Sequence, residues 1–298
     1  MRILITGGNG FLGRNIIQIL KDSHDILTLG RSVDNDFISD LAYPIDLKLP
    51  KFDLIIHAAG KAHSIPKNKK EEAEFFEVNS KGTQNLLKTV ASSGCFPNTL
   101  VMISSVSVYG LDSGHSISEI HPLNGASPYA LSKISAENFS REWGIEHGVN
   151  VVILRLPLVI GHNAPGNFGA MVKAIEKGYY FRLANMENRK SMVLAEDVAS
   201  LMPQLLNKNG TYNLTDGVNP LFTELDAYLA SQLGKRIWTF PVSVLKLFSK
   251  IGDVVPIFPL STYRLEKLSS SLTFDHQKAI KELGWEPRPV IGTFRIKE

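Results

Sequence analysis

Hydrophobic residues along the chain fall into short runs that alternate with amphipathic stretches. Residues 54–56 and 151–154 are apolar at consecutive positions, which is typical of strands covered on both faces in a parallel sheet. The predicted strands are residues 2–6, 25–29, 53–58, 99–104 and 149–154, and the predicted helices between them are residues 11–21, 71–92 and 128–147. This alternation of strand and helix indicates βαβ units and a doubly wound parallel sheet, an α/β fold.

The regular pattern ends after residue 155. Residues 161–167 are rich in Gly, Asn and Pro and are predicted to form a long ordered loop. Helices are expected near residues 168–178, 196–206, 223–233 and 276–283, with short strands between them. We therefore predict one domain over residues 1–155, to which residues 191–217 return, and a smaller mixed α/β domain mainly over residues 156–298.

Composition places the chain among globular proteins and excludes several functions. Of 298 residues, 44% are hydrophobic and 20% are charged, and the net charge of +3 is too small for a nucleic-acid-binding surface. No window reaches the roughly 18 uninterrupted apolar residues of a membrane span. The single cysteine, Cys95, excludes an internal disulfide, and no targeting signal is expected at residues 1–6, so a reducing, cytoplasmic location is predicted.

A glycine-rich segment directly follows the first predicted strand. Residues 8–13 match G-x-G-x-x-G, and Gly7, Gly10 and Gly13 also match G-x-x-G-x-x-G. Glycines at this point permit a tight turn, a close approach to a pyrophosphate and close packing of helix on strand, with the anion at the helix N-terminus. The strand, turn and helix context predicts that this loop binds a dinucleotide.

The end of the second strand carries an arginine where a ribose-binding carboxylate is common. Arg31 at this point can pair with a 2′-phosphate, which favours NADP over NAD. A solvent-exposed surface arginine is the alternative interpretation, and it leaves NAD as the cofactor.

A tyrosine and a lysine start the predicted helix at residue 128. Ser127 is a suitable N-cap and Pro128 suits the first helical position, so Tyr129 and Lys133 lie four residues apart on one face. A nearby ammonium and a helix N-terminus both favour the phenolate of Tyr129 over the phenol. Serines at the carboxyl end of the fourth strand, Ser105 among them, can bind a substrate hydroxyl, although serines in this position also form turns.

With these motifs the chain resembles the extended short-chain dehydrogenase/reductase family, in its nucleotide-sugar epimerase, dehydratase and reductase branch. The resemblance covers nearly the whole chain and implies a Rossmann-type cofactor domain and a substrate domain. It implies that Tyr129 is the acid/base, that Lys133 lowers the pKa of Tyr129 and holds the nicotinamide ribose, and that Ser105 orients the sugar hydroxyl. Hydride would pass between a sugar carbon, usually C4, and the nicotinamide.

The resemblance also implies a set of binding residues and a quaternary state. Contacts to NAD or NADP are expected from Gly7, Gly10, Phe11, Leu12, Gly13, Arg31, Asp46, Leu47, Ala58, Ala59, Gly60, Asn79, Ser104, Tyr129, Lys133 and Leu156. Contacts to the nucleotide sugar are expected from Ser107, Asn167, Phe168, Arg189 and Lys190. A homodimer is expected to form through the helices at residues 71–92 and 128–147, and no metal site is expected.

Two reactions within this branch remain open. Family members that dehydrate the sugar carry an Asp-Glu pair after the catalytic Ser or Thr, where this chain has Val106 and Ser107, so dehydration is disfavoured. Segments 56–63 and 215–217 resemble bacterial polysaccharide-pathway members, among which both 4-epimerases and 4-keto reductases occur. We predict a UDP-sugar 4-epimerase, with an NADPH-dependent 4-keto reductase as the alternative and a non-catalytic NAD(P)-sensing regulator as a further one. The sugar and the nucleotide base are not determined by the sequence.

Overall fold

A seven-stranded parallel sheet forms the centre of the structure, a computed structural model that describes residues 1–184, 186–241 and 269–296. The strands are β1 (Arg2–Thr6), β2 (Asp25–Gly30), β3 (Phe37–Ile38), β4 (Leu54–His57), β5 (Thr99–Ser105), β6 (Gly114–Ile117), β7 (Asn150–Leu156), β8 (Leu158–Ile160), β9 (Phe181–Leu183), β10 (Met192–Leu194), β11 (Gly210–Asn213), β12 (Trp238–Phe240) and β13 (Leu272–Phe274). The central sheet has the order β11-β7-β5-β4-β1-β2-β3. The pairs β10-β8, β12-β9 and β13-β6 form small parallel sheets beside it.

Helices cover both faces of the central sheet. They are α1 (Phe11–Leu20), α2 (Lys69–Phe75), α3 (Gly82–Ser93), α4 (Pro128–His147), α5 (Gly166–Glu176), α6 (Ala195–Leu201), α7 (Phe222–Gln232), α8 (Gln277–Leu283) and the short turn α9 (Val290–Thr293). A π-helical segment, Phe76–Lys81, joins α2 to α3, and 3-10 turns lie at Val106–Tyr109 and Met202–Leu205. None of these helices in the described ranges is long and apolar enough to cross a membrane.

Two buried clusters sandwich the sheet, and a third forms the C-terminal lobe. One face packs Ile16 of α1 with residues of α6 and α8, and the other packs Leu86 of α3 with Trp143 of α4. The C-terminal lobe, formed around α5, α7 and α9, has its own core, which includes Phe168 and Leu225. Because helices cover both faces, the buried strands need apolar residues at consecutive positions. The doubly wound α/β fold predicted from the sequence is confirmed.

The helix predicted at residues 71–92 differs most from the structure. The chain forms α2, the π-helical segment and α3 in succession over residues 69–93. The wider π turn contains Asn79, and Thr83 Oγ1 donates to the Asn79 carbonyl at 2.6 Å. Such π segments are frequent at functional sites, and a hydrophobic pattern with a helical period does not distinguish them from α-helix.

Candidate active site

The glycine loop forms a close turn between β1 and α1. Gly7 has a φ of 74°, and a Cβ there would lie 2.6 Å from the Ala59 nitrogen. A Cβ on Gly13 would collide with the Gly7 carbonyl oxygen, and Gly10 N donates to that oxygen at 2.9 Å. Helix α1 begins directly after Gly10, and among the described residues no side chain caps it. The first backbone N–H groups of α1 and the close turn therefore fit a dinucleotide pyrophosphate.

The two residues that follow Gly10 pack against neighbouring segments. Phe11 is half-buried, and a Cβ on Gly161 would lie 2.9 Å from its ring, so the loop after β8 covers the start of α1. Leu12 packs against the core on the α1 side of the sheet. Both residues thus lie at the phosphate end of the loop, where their backbone N–H groups belong to the first turn of α1.

A second turn, at residues 58–60 after β4, connects the glycine loop to the buried lysine. Asn79 Oδ1 accepts a hydrogen bond from Lys61 N at 2.7 Å, and Asn79 Nδ2 donates to the Lys61 carbonyl at 3.0 Å and to Ser132 Oγ at 2.9 Å. A Cβ on Gly60 would lie 3.1 Å from both Asn79 Oδ1 and Lys133 Nζ. The Asn79 side chain thus fixes this turn against α4, next to Lys133.

Tyr129 and Lys133 lie side by side on α4 and face the end of β5. Ser127 Oγ accepts from Ala130 N and Pro128 occupies the first turn, which confirms the predicted start of the helix. The Tyr129 hydroxyl interacts with Ser105, whose Oγ also accepts from the Ser107 backbone N–H at 3.2 Å. Lys133 is buried, and its Nζ donates to the Ile103 carbonyl at 3.0 Å.

The protonation states of this pair differ from the expectation. Burial raises the pKa of Tyr129, and the hydrogen bond from Ser105 acts in the opposite direction without reversing it. Burial also lowers the pKa of Lys133 to about 8, with the Glu137 carboxylate acting to raise it. The pKa of Tyr129 is therefore raised, because desolvation of the phenolate outweighs the hydrogen bond with Ser105. At neutral pH Tyr129 is a phenol and Lys133 is an ammonium.

A buried carboxylate on α4, missed in the sequence, lies next to this pair. Glu137 accepts from Ser104 Oγ at 2.6 Å and forms two hydrogen bonds with Arg155, at 3.1 and 2.7 Å. The Ser104 side chain is therefore bound to Glu137, and the expected contact of Ser104 with the cofactor stays a prediction. The sequence signal that could have revealed Glu137 is its spacing, since Tyr129, Lys133 and Glu137 follow one another every four residues on one helix face.

A buried histidine connects the ends of three elements. His57 Nδ1 lies 2.7 Å from Thr6 Oγ1 at the end of β1, and His57 Nε2 lies 2.8 Å from Thr83 Oγ1 on α3. Burial, followed by the charge of Lys133, lowers the pKa of His57 to about 3. Both ring nitrogens of His57 are thus engaged by threonine hydroxyls.

We expect this histidine to make the protein acid-sensitive. Between its unfolded pKa of about 6.5 and its folded pKa of about 3, only the unfolded chain binds the proton. The contribution of neutral His57 to the free energy of unfolding is therefore fully present above pH 6.5 and is lost as the pH falls. The free energy of unfolding should drop by up to about 1.4 kcal/mol per pH unit in this window. Urea unfolding at pH 7.5, 5.5 and 4.5 gives the slope of the free energy of unfolding against pH. This slope should be smaller in His57→Gln, by the equivalent of one bound proton, and unchanged in His115→Gln, an exposed control. Equal slopes in His57→Gln and the parent would contradict this assignment.

The residues expected at the adenosine end lie at the β2 edge of the sheet and on the loop before β4. The Arg31 side chain is 78% exposed, with Nη1 3.9 Å from the Asp40 carboxylate. Asp46 is exposed, whereas Leu47 is half-buried against the core on the α3 side. An exposed arginine in a long, weak ion pair remains able to bind an anionic group such as a phosphate.

Several residues expected at the substrate and cofactor are core residues. Phe168 is 2% exposed and packs edge-on against Phe294 in the core of the C-terminal lobe, because α5 buries this face. Leu156 is 4% exposed in the core under the sheet. The contacts expected of Phe168 with the substrate and of Leu156 with the cofactor stay predictions. Ser107 Oγ is buried near Ser105 and has no hydrogen-bond partner among the described residues, so a substrate hydroxyl would satisfy it.

The remaining expected substrate residues belong to the C-terminal lobe. Asn167 is exposed in the first turn of α5, and a Cβ on the preceding Gly166 would lie 2.5 Å from His63 Nδ1, so α5 starts against the loop that follows the 58–60 turn. Arg189 is exposed, and its Nη1 donates to the Asn219 carbonyl at 3.0 Å. Lys190 is half-buried and forms a backbone bridge with Leu272.

This arrangement combines a cleft for a dinucleotide with groups for proton transfer. The glycine loop, the 58–60 turn, Lys133, Tyr129 and Ser105 share the carboxyl end of the parallel sheet, where ligands bind in open α/β folds. A phenol that interacts with a serine hydroxyl beside an ammonium can exchange a proton with a substrate oxygen while a hydride moves to or from a bound nicotinamide.

Comparisons with known proteins agree with this chemistry. The sequence model of the NAD dependent epimerase/dehydratase family matches residues 3–215. The chain is 26% identical to the UDP-glucose 4-epimerase of Vibrio cholerae, with coverage of 96% of this chain and 90% of that protein. It is 27% identical to the GDP-6-deoxy-D-talose 4-dehydrogenase of Aggregatibacter actinomycetemcomitans, with coverage of 95% and 96%.

A solved structure shares the fold over nearly its whole length. The structure of RMD from Pseudomonas aeruginosa complexed with NADPH matches 98% of this chain and 96% of its own chain, with a TM-score of 0.73 and 22% identity. The similarity extends beyond the cofactor half of the chain into the C-terminal lobe.

Proposed function

Because the chain belongs to the NAD dependent epimerase/dehydratase family, we propose that it is a nucleotide-sugar 4-epimerase that oxidises and re-reduces the C4 carbon of a UDP-linked sugar. The chain is an enzyme of the nucleotide-sugar epimerase, dehydratase and reductase group, and its cofactor is NAD or NADP. The observation that carries the proposal is the Tyr129, Ser105 and Lys133 cluster beside the glycine loop. The similarity to a UDP-glucose 4-epimerase over 90% of that protein supports the epimerase reaction.

The residues of the chain provide the proton transfers and the orientation. When bound, the nicotinamide supplies a hydride acceptor and donor. For the oxidation, Tyr129 first releases its proton to solvent, and the phenolate takes the proton of the C4 hydroxyl as the hydride leaves C4. The phenol formed in this step returns the proton to the keto oxygen as the sugar is reduced. Ser105 orients that oxygen, and the Lys133 ammonium stabilises the phenolate form of Tyr129, which exists before the oxidation and again after the reduction. Loss of hydride and of proton from one carbinol leaves a ketone, so the two half-reactions balance.

The experiment that tests this proposal identifies the cofactor and the product together. Purified protein is denatured and the released nicotinamide is identified by absorbance and mass, and native protein is incubated with UDP-glucose or UDP-N-acetylglucosamine without added cofactor. We expect retained NAD in about equal amount to protein and formation of the C4 epimer, because an epimerase regenerates its cofactor in every cycle. A protein that binds a UDP-sugar and retains NAD but forms no epimer would contradict the proposal.

A 4-keto reductase is the second candidate, on two observations. The exposed Arg31 at the end of β2 favours NADPH, and burial keeps Tyr129 protonated, which is the form that donates a proton to a keto group. In this case the protein should be empty after purification and consume NADPH with a nucleotide-linked 4-keto-6-deoxy sugar. Arg31→Ala should then weaken NADPH about tenfold relative to NADH, whereas Arg236→Ala, at another exposed site, should leave the ratio unchanged. An unchanged ratio in Arg31→Ala would remove Arg31 from the cofactor site.

We further propose that the enzyme is a homodimer formed through α2, α3 and α4. Phe76 in the π-helical segment and Leu131 on α4 are large apolar side chains that are 38% and 44% exposed. Pairing of these helices with those of a second copy would cover both side chains. A monomer mass in sedimentation at micromolar concentration would contradict this proposal.

A further inference from the structure

One face of α4 and the end of β5 are connected residue by residue. Tyr129, Lys133 and Glu137 follow at four-residue spacing on α4. Lys133 Nζ donates to the Ile103 carbonyl at 3.0 Å, and Ser104 Oγ donates to Glu137 Oε1 at 2.6 Å. The next strand residue is the serine that interacts with Tyr129. The Glu137 carboxylate therefore binds the strand between the two residues that contact the proposed catalytic pair.

Glu137 is a buried charge held by two guanidinium groups. Its side chain is 0% exposed, Arg155 binds both carboxylate oxygens, and Arg141 Nη2 lies 2.8 Å from Oε2. These contacts and Ser104 lower the pKa of Glu137 although burial acts to raise it. Glu137 is therefore a carboxylate at neutral pH, one helical turn from Lys133.

The Lys133 ammonium has lost most of its hydration. Burial lowers its pKa to about 8, and the charge of Glu137 is the group that acts against this loss. The other titratable neighbours of Lys133 are Tyr129 on the same face of α4 and, from the sheet side, His57. Both are uncharged at neutral pH, because burial raises the pKa of Tyr129 and lowers that of His57. Without the carboxylate, the pKa of Lys133 would fall further below its usual value, and the uncharged amine would gain population near neutral pH.

We infer that Glu137 is a positioning residue that keeps Lys133 in its ammonium form and fixes the end of β5 beside Tyr129. The inference rests on the proposed catalytic role of Lys133. Glu137 does not touch the reacting atoms, and it acts through Lys133 and Ser104. The two arginines supply the opposite charge that allows a carboxylate to remain buried at this place.

Arg155 connects Glu137 to further polar and titratable groups. Its Nη1 donates to the Tyr109 hydroxyl at 3.0 Å and to the Glu119 carbonyl at 3.2 Å, and the Tyr109 hydroxyl donates to Asn213 Oδ1 at 2.7 Å. Burial raises the pKa of Tyr109, so this phenol is neutral in the working pH range. The charges that act on Glu137 near neutral pH are therefore those of Lys133, Arg141 and Arg155.

The test measures the titration of Lys133 directly in the full-length protein. The protein is labelled with ¹³C at the lysine ε-carbon, the Lys133 signal is assigned with Lys133→Arg, and its shift is followed from pH 6 to 11. We expect Glu137→Gln to lower the titration midpoint of Lys133 by about one pH unit or more, because the compensating charge is lost. We expect Arg155→Gln to raise the midpoint, because the carboxylate is then less neutralised.

The opposite midpoint shifts expected in the two variants distinguish charge compensation by Glu137 from a purely structural role. A pair needed only for packing would disturb Lys133 in the same direction in both variants, and that result, or an unchanged midpoint in Glu137→Gln, would overturn the inference. If Glu137→Gln does not fold, the double variant Glu137→Gln/Arg155→Gln removes both members of the buried pair, and its midpoint should lie below that of Arg155→Gln, from which it differs only by the lost carboxylate. Equal midpoints in these two variants would overturn the inference. In an active preparation, the alkaline limb of the pH–rate profile should move to lower pH by the same amount. Absence of any sugar turnover would reject the proposed function and leave the titration result intact.

Discussion

Tyr129→Phe is expected to reduce turnover of the nucleotide sugar by about 10²–10⁴-fold, the range that a positioned acid/base contributes. The substitution removes one oxygen and keeps the ring, which packs edge-on against Phe75 at a centroid distance of 6.1 Å. Affinity for NAD(P) should change little, because the glycine loop and the 58–60 turn are untouched. Steady-state rates test the expected loss of turnover. Cofactor titration by fluorescence on the same preparation tests the expected retention of NAD(P) affinity.

A matched control separates the loss of this hydroxyl from the loss of any tyrosine. Tyr179 is 63% exposed and lies outside the Ser105 and Lys133 cluster, so Tyr179→Phe should retain the parental rate. Turnover within a factor of three of the parent in Tyr129→Phe would show that another group moves the proton. Loss of turnover together with loss of cofactor affinity would show that Tyr129 acts in binding and not in proton transfer.

Gly13→Ala is expected to weaken NAD(P) binding by about 10–100-fold. The new methyl group would overlap the Gly7 carbonyl oxygen, so α1 must move away from the glycine loop. Ile16 of the same helix is fully buried and resists this movement. Overpacking of this kind costs about 1–3 kcal/mol, and part of that cost appears as misplaced N–H groups at the phosphate site. Isothermal titration with NAD and NADPH gives the affinity, and urea unfolding gives the stability.

Gly94→Ala provides the control for a general loss of stability. Gly94 has a φ of 66°, and no described heavy atom lies within 4 Å of the place its Cβ would take. An alanine there costs about 1–2 kcal/mol through its left-handed backbone alone. Its cofactor affinity should equal that of the parent. If Gly13→Ala bound NAD(P) as tightly as Gly94→Ala does, the glycine loop would not be the pyrophosphate site.

Local features of the fold were predictable because their causes lie within a few residues. The bounds of β1 and α4 match the predictions, since an apolar run before a glycine turn and a Ser-Pro pair before an amphipathic stretch mark those ends. The short strands β3 and β6 were not predicted, and β11 was expected only as one of the short strands between the later helices, without bounds or a partner. Each has only two to four residues, so its pattern carries little information, and β6 and β11 pair with strands that are distant in the sequence.

The residues of the candidate site likewise fall into those that local sequence predicts and those that depend on distant contacts. The glycine loop, Tyr129, Lys133 and Ser105 were identified by spacing, and the structure places them at one end of the sheet. The burial of Phe168, by contrast, was not predictable from nearby residues, because its ring packs against Phe294, more than a hundred residues away. The π-helical turn that contains Asn79 depends on hydrogen bonds to Lys61 and Ser132, which the helical period does not reveal.

By itself, the sequence determined the α/β fold class, the dinucleotide loop and the spacing of the tyrosine and lysine, because periodicity and glycine chemistry are local properties. Only the tertiary structure decided the protonation states and the supporting contacts. Desolvation depends on every element packed around a group, so the raised pKa of Tyr129, the lysine pKa of about 8 and the buried pair of Glu137 with Arg155 emerge only when α4, β5 and β7 come together.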